Sequence, residues 1–252
     1  MTAEPLLSVQ MLNKHFGGIV ATDNLSIDVT PGEIHAVIGP NGAGKTTLVA
    51  QLSGMLKPDG GTVLFDGHDI TTLPAPKRSK LGLARSFQIT SIFRDFSAID
   101  NVALAIQAHS GHSFRFWSSA RTDLRLQEPA REVLKQVGLE ERADVISGNL
   151  AHGEQRQLEI AMALATKPKL LLLDEPMAGM GAEDSEQMTR FLISLKGKYT
   201  MLLIEHDMDA VFRLADRITV IVYGKAIATG TPEEIRVNDE VRSAYLGDDE
   251  AA

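Results

Sequence analysis

The sequence predicts an α/β fold with a parallel-sheet core, an antiparallel β layer ahead of it and a helical lobe inserted into it. Three observations predict this. Short apolar runs ending in polar residues, KLLLLDEP (169–176), TMLLIEHD (200–207) and RITVIVYG (217–224), are separated by helical stretches at 182–196 and 208–215. That is the rhythm of a parallel sheet crossed by helices. The N-terminal part instead carries strand patterns between glycine turns. From about Ile89 to Thr166 strand patterns fade and helical spacing takes over.

Taken in order, LSIDV (25–29) alternates and puts Leu25, Ile27 and Val29 on one face of a half-buried strand. TPGE (30–33) reads as a turn and EIHAVIG (33–39) as the next strand. NGAGKTTLVAQLSG then turns sharply and becomes helical. GTVLFDG (61–67) reads as an antiparallel strand between glycine turns. In the lobe, VALAIQAHS, EPAREVLKQVGLEERA and GEQRQLEIAMALA have helical spacing. The ending TPEEIRVNDEVRSAYLGDDEAA holds two short helical patterns and an acidic end. The expected division is a single domain over 1–252. Its core and β layer take 1–88 and 167–228, the helical subdomain 89–166, and a tail 229–252. The sequence holds no internal repeat, sustained heptad or low-complexity stretch.

A chain of 252 residues suits one large domain or a domain with an inserted lobe. Its 25 basic and 33 acidic residues leave a net charge of −8, which argues against nucleic acid as the main partner. The absence of cysteine excludes disulfides, thiolate catalysis and Cys-rich zinc sites, and permits a reducing compartment. No apolar run approaches the ~20 residues that span a bilayer. MTAEPLLSVQ lacks the basic flank and long apolar core of a secretion signal. The expectation is a soluble chain whose membrane role, if any, comes through a partner.

The chemistry is concentrated in a few places. GPNGAGKTT (39–47) fits G-x-x-x-x-G-K-[ST] between a strand and a helix. Gly39, Asn41, Gly42, Ala43 and Gly44 form a loop whose backbone N–H groups close around phosphates, together with Thr47. Lys45 reaches the β- and γ-phosphates and the Thr46 hydroxyl ligates Mg²⁺. The helix that follows turns its positive end to the same anions. LLLLDE (170–175) supplies the acids. Asp174 would hold Mg²⁺ through water, and Glu175 would face the attacking water as general base. On its own LLLLDE would read as a strand ending in two solvated acids; the phosphate loop tips the balance.

Gln88 in ARSFQ, LAHGEQ (150–155) and His206 in IEHD join these two, and the five motifs in chain order, phosphate loop, Gln88, LAHGEQ, LLLLDE and His206, resemble the ATP-binding subunit of ABC transporters, over nearly the whole chain. The resemblance implies a P-loop NTPase (RecA-like) core and the cofactors ATP and Mg²⁺. It implies that Gln88 senses Mg²⁺ and the γ-phosphate and relays their state to the lobe. It implies that His206 contacts the γ-phosphate and that Phe16, in KHFGG, stacks on adenine. Plainer readings stand beside these: Gln88 capping a strand, His206 a solvated loop residue, Phe16 packed in the core. Within the family, FGGIVATDNLSI, ARSFQITSIFRDFSAIDNVALA, LAHGEQRQLEIAMALA and the ending TGTPEEIRVNDEVRSAYLGD are similar to the branched-chain amino-acid uptake group. The alternative is an ATPase of a lipopolysaccharide-type export system, or a soluble non-transport relative. The implied partners are a second copy or a homologous ATPase subunit, integral-membrane permease subunits and, indirectly, an extracytoplasmic substrate-binding protein. The implied location is the cytoplasmic face of the inner membrane, held there through the permease.

The sequence departs from the family at two places. Ala151 stands where serine is usual and His152 where glycine or an aromatic is usual; Gly181 replaces an aspartate or asparagine in the loop that joins two subunits. In the family this signature, here Ala151, His152, Gly153 and Glu154, covers the γ-phosphate bound to the other subunit. Its main tools are backbone N–H groups and the helix dipole, so losing a serine hydroxyl removes one hydrogen bond worth about 0.5–1.5 kcal/mol, or twice that to a charged group. The site is expected to work, with a degenerate site as the alternative. GHSFRFWSSARTDLR (111–125) gathers Phe114, Phe116 and Trp117 with Arg115, Arg121 and Arg125, either a permease-docking patch or lobe core with a solvated basic face. His109 and His112 have helical spacing, but no carboxylate pattern joins them, so no metal site is expected there.

Overall fold

The computed structural model describes residues 4–86, 92–109 and 123–246. It opens with two long strands, β1 (Leu7–Phe16) and β2 (Ile19–Val29), paired antiparallel. Leu25, Ile27 and Val29 are buried as the alternation predicts. The register of β1 shifts between Val9 and Leu12 and again near Lys14, so β1 shows no clean alternation of its own. β3 (Ile34–Ile38) follows, then helix α1 (Lys45–Leu52), β4 (Gly60–Phe65), the two-residue β5 (His68–Asp69), α2 (Ala75–Leu81) and the short β6 (Leu83–Arg85). Helices α3 (Ala98–His109), α4 (Leu124–Gln136) and α5 (His152–Leu164) come next. The chain then runs β7 (Leu170–Asp174), α6 (Ala182–Leu195), β8 (Thr200–Ile204), α7 (Met208–Leu214), β9 (Arg217–Val222), β10 (Lys225–Gly230) and α8 (Pro232–Arg236). The boundary expected at 228/229 falls inside β10. α4 begins at Leu124, capped by Asp123, so Pro129 lies within the helix instead of at its start.

Two sheets form. One has the order β2-β1-β4-β5 and is antiparallel; the other has the order β10-β9-β3-β8-β7-β6, parallel except for the β10 edge. This is a P-loop NTPase core with an antiparallel β layer and a helical insertion between β6 and β7. β3, β7 and β8 are buried along their whole length, which is why their sequences are continuous apolar runs. β7 divides its leucines by period two. Leu170 and Leu172 join the core shared with α1 and the antiparallel layer; Leu171 and Leu173 join the core shared with α3, α4 and α5. Each buried leucine contributes roughly 1.5–3 kcal/mol. The sheet thus fastens the helical lobe to one face and the β layer to the other. The C-terminal ends of β3, β7 and β8 lie side by side, the place where open α/β sheets bind ligands.

Candidate functional site

The loop after β3 is pressed between two other strands. A Cβ on Gly39 would lie 2.1 Å from the Ile221 carbonyl oxygen, and one on Gly44 would lie 2.0 Å from that of Ala21. Neither position admits a side chain. Gly44 is the N-cap of α1, and no side chain caps that helix. The first N–H groups of α1 are therefore oriented for an external anion. Ala43 closes the loop onto the β9–β10 turn, its carbonyl accepting the Gly224 N–H at 2.9 Å. Asn41, Gly42 and Thr46 are exposed and Thr47 half-buried.

Lys45 is 8% exposed. Its Nζ donates to the carbonyls of Gly39 (2.6 Å) and Pro40 (3.0 Å). Burial lowers its pKa, opposed by the negative charge of Glu175. A buried ammonium held by two loop carbonyls, beside an uncapped helix start, fits a polyphosphate: the donors are present and already oriented.

β7 delivers the acids. Asp174 is buried, and Arg85 at the end of β6 donates to its Oδ2 at 2.9 Å. Burial raises the Asp174 pKa, while Arg85 pulls it back. Glu175 follows with φ 48°, a left-handed conformation that costs a non-glycine residue roughly 1–3 kcal/mol. Its N–H donates to the Ile204 carbonyl at 2.9 Å, so pairing with β8 holds the strained residue in place. At the end of β8, Glu205 is fully buried and the His206 side chain is 62% exposed.

The signature lies at the start of α5. Ala151 is the N-cap and has no side-chain oxygen to offer the helix; Glu154 Oε2 accepts the Ala151 N–H at 2.9 Å, forming half of a capping box. Arg142 donates to the other Glu154 oxygen at 3.0 Å. Ala151 and His152 are exposed. A Cβ on Gly153 would meet Asp184 only at an ordinary 3.7 Å, so nothing among the described residues requires glycine there. Among the described residues, a Cβ on Gly181 meets nothing within 4 Å. Phe16 is 48% exposed at the end of β1, with Lys14 Nζ 5.7 Å from its ring centre, and so lies outside the core. Gln88 and residues 110–122, with Phe114, Arg115, Phe116, Trp117, Arg121 and His112, lie outside the described residues. Among the described residues no cluster of three or more His, Asp or Glu side chains could hold a metal ion by itself. No helix among them is long and apolar enough to cross a membrane.

The structure thus brings Lys45, Asp174, Glu175 and His206 to one edge of the sheet, with the signature on a separate surface at the start of α5. Sequence reasoning missed two residues that support this edge and one that braces the far end of α1. Arg85 pairs with Asp174, Glu205 lies beneath His206, and buried Arg78 donates to the carbonyls of Gln51 and Leu52 at the end of α1, both at 2.8 Å. Burial lowers the Arg78 pKa to about 10.

Residues 22–178 match the family model described as ABC transporter, and residues 227–251 match that of the branched-chain amino acid ATP-binding cassette transporter. The chain is 40% identical over 253 residues to the high-affinity branched-chain amino acid transport ATP-binding protein LivG of Escherichia coli K12, covering 98% of this chain and 99% of that one. It is 33% identical to the lipopolysaccharide export system ATP-binding protein LptB of Acidithiobacillus ferridurans, covering 96% and 97%. In fold it is similar to the ADP conformation of MJ1267, an ATP-binding cassette of an ABC transporter, with a TM-score of 0.85 and 29% identity over 97% of this chain and 100% of that one.

Proposed function

The chain belongs to the ABC transporter ATP-binding family, and from that premise we propose that this ATPase drives uptake of branched-chain or related amino acids by closing on ATP as a dimer. The observation that carries the catalytic part is the convergence of Lys45, Asp174, Glu175 and His206 at the ends of β3, β7 and β8. Lys45 and the N–H groups opening α1 hold the phosphates. Thr46 and Asp174 would hold Mg²⁺, with Gln88 assigned to it by family resemblance; the ion supplies positive charge to the phosphate oxygens. Glu175 takes the proton from the attacking water, and His206 contacts the γ-phosphate. Phe16, exposed and close to the loop's β-layer wall, offers its ring to the adenine.

Only one set of motifs exists in the chain, so a second copy or a homologous subunit must supply the opposing signature. Gly153 supports this reading, since the described residues leave the position open to a close approach from outside. A groove between α2, β6, α3 and α5, lined by Met55, Pro76, Ala105 and Met162, offers an apolar seat for a permease element. The amino-acid substrate rests on the 40% identical relative; the lipopolysaccharide system is the more distant one. Deleting the gene tests this. Loss of labelled leucine, isoleucine and valine uptake, restored by the intact chain and not by Glu175→Gln, is expected. Unchanged uptake of all three would overturn the substrate assignment.

A further inference from the structure

Between β8 and α7 lies a carboxylate that the phosphate chemistry does not use. Glu205 is 0% exposed. Its Oε1 accepts the Met177 N–H at 2.9 Å; its Oε2 accepts the N–H groups of His206 at 2.9 Å and Asp207 at 3.4 Å. A buried carboxylate is costly unless several donors meet it. Here three backbone donors do, and they come from two loops.

Two observations separate this from an ordinary helix cap. α7 already has its cap in Asp207, whose Oδ1 accepts the Ala210 N–H at 3.1 Å. Met177 belongs to neither α7 nor β8; it lies two residues past Glu175 and 28 positions from Glu205. The Glu175 N–H donates to the Ile204 carbonyl and the Met177 N–H to Glu205, while Pro176 between them has no N–H to give. The Met177 side chain is buried as well, its Sδ accepting from Thr189 Oγ1 at 3.4 Å. Residues 175 and 177 are thus tied to 204 and 205 by adjacent bonds.

We infer that Glu205 is a positioning residue that locks the segment carrying Glu175 to the segment carrying His206, so that the two move as one body. The inference rests on the reading of Glu175 and His206 as the hydrolytic pair. The spacing between water-activating and phosphate-contacting groups is then set by the buried clamp and not by either side chain. A misplacement of about 1 Å between such groups costs on the order of a hundredfold in rate.

The test compares Glu205→Gln and Glu205→Ala in the purified full chain. Glutamine keeps the volume and one acceptor oxygen but turns an NH₂ toward a backbone N–H; alanine removes both acceptors. Nucleotide affinity is expected to stay within about threefold in both, with kcat about tenfold lower for Gln and about a hundredfold lower for Ala. Amide hydrogen exchange in nucleotide-free protein should quicken at 177–181 and 204–208 and stay unchanged at 39–47. A kcat within about twofold of the parent in both variants, or exchange that quickens evenly along the chain, overturns the clamp. Failure of the underlying ATPase reading shows differently: the parent would turn over ATP no faster than Lys45→Ala. Exchange at Met177 then decides the clamp without activity, and no change there overturns it.

Discussion

Arg85 Nη2 lies 2.9 Å from Asp174 Oδ2, joining the strand that leads toward Gln88 to the carboxylate proposed to face Mg²⁺. Both side chains are largely buried, and Arg85 also donates to Ser53 Oγ at 3.2 Å, just past the end of α1. Removing one partner of such a pair leaves the other charged and desolvated. Arg85→Met is therefore expected to lower unfolding stability at neutral pH by about 3 kcal/mol, read by urea denaturation. Arg85→Met combined with Asp174→Asn should cost less than the two single changes added together. Additive losses would show that the pair does not couple.

This pair shows where the sequence is readable and where it is not. The phosphate loop declares itself because its chemistry is contiguous: Gly39 to Thr47 contains the glycines, the lysine and the hydroxyl in one stretch. The Arg85–Asp174 pair spans 89 positions and the Glu205–Met177 bond 28, so neither leaves a local pattern. β1 escapes notice for a different reason: its bulges interrupt the period of two, and Met11 turns to φ 48° within it. β6 has three residues, too few to show any period. The buried runs of β7 and β8 were visible because burial on both sheet faces demands unbroken apolar sequence.

Lys45→Ala separates binding from folding. The lysine's contacts in this structure are loop carbonyls, and burial already disfavours its charge. Its loss should weaken ATP binding by about a hundredfold, equivalent to roughly 3 kcal/mol of charge-assisted bonding. The melting temperature should fall by no more than about 2 °C. Unchanged ATP affinity, measured by titration calorimetry, would remove the phosphate role from this loop.

Glu175→Gln preserves shape and the N–H bond to Ile204 while removing the charge. Turnover is expected to fall by about 10²–10⁴ with ATP affinity kept. Dimers should then accumulate with ATP on a sizing column. Turnover close to that of the parent would shift the general base to another residue.

Far from this edge, buried His35 bridges Glu33 (3.0 Å) and Thr219 (2.8 Å), and Thr30 also donates to Glu33. Burial pushes the Glu33 pKa up, but the His35 and Thr30 hydrogen bonds outweigh it and the net direction is down. A depressed carboxylate contributes stability that is present above its unfolded pKa, about 4.3, and is lost as pH falls through the folded value. The parent should therefore lose melting temperature more steeply below about pH 4.3 than Glu33→Gln does. Parallel curves for parent and variant across that range would contradict the assignment.

Ala151 occupies the N-cap of α5 with the right backbone (φ −60°, ψ 158°) and the wrong side chain. Glu154 already accepts the Ala151 N–H, so a serine oxygen would complete the reciprocal pair. Ala151→Ser is expected to stabilise the chain by about 1 kcal/mol, visible as a rise in melting temperature. Its effect on ATP-driven dimer closure in the Glu175→Gln background should stay within about tenfold, because the helix dipole and backbone N–H groups persist without the hydroxyl. Gly153→Asp should abolish closure in the same assay. Its Cβ has room in the isolated chain, only 3.7 Å from the nearest Asp184 atoms, so folding is spared. The new carboxylate instead adds negative charge beside Asp184 and Glu154, where the proposed dimer would bring the partner's γ-phosphate. A Gly153→Asp protein that closed as readily as its parent would remove α5 from the nucleotide site altogether. If Ala151→Ser converted a non-closing protein into a tight dimer, alanine would be the defect and the natural signature a degenerate one.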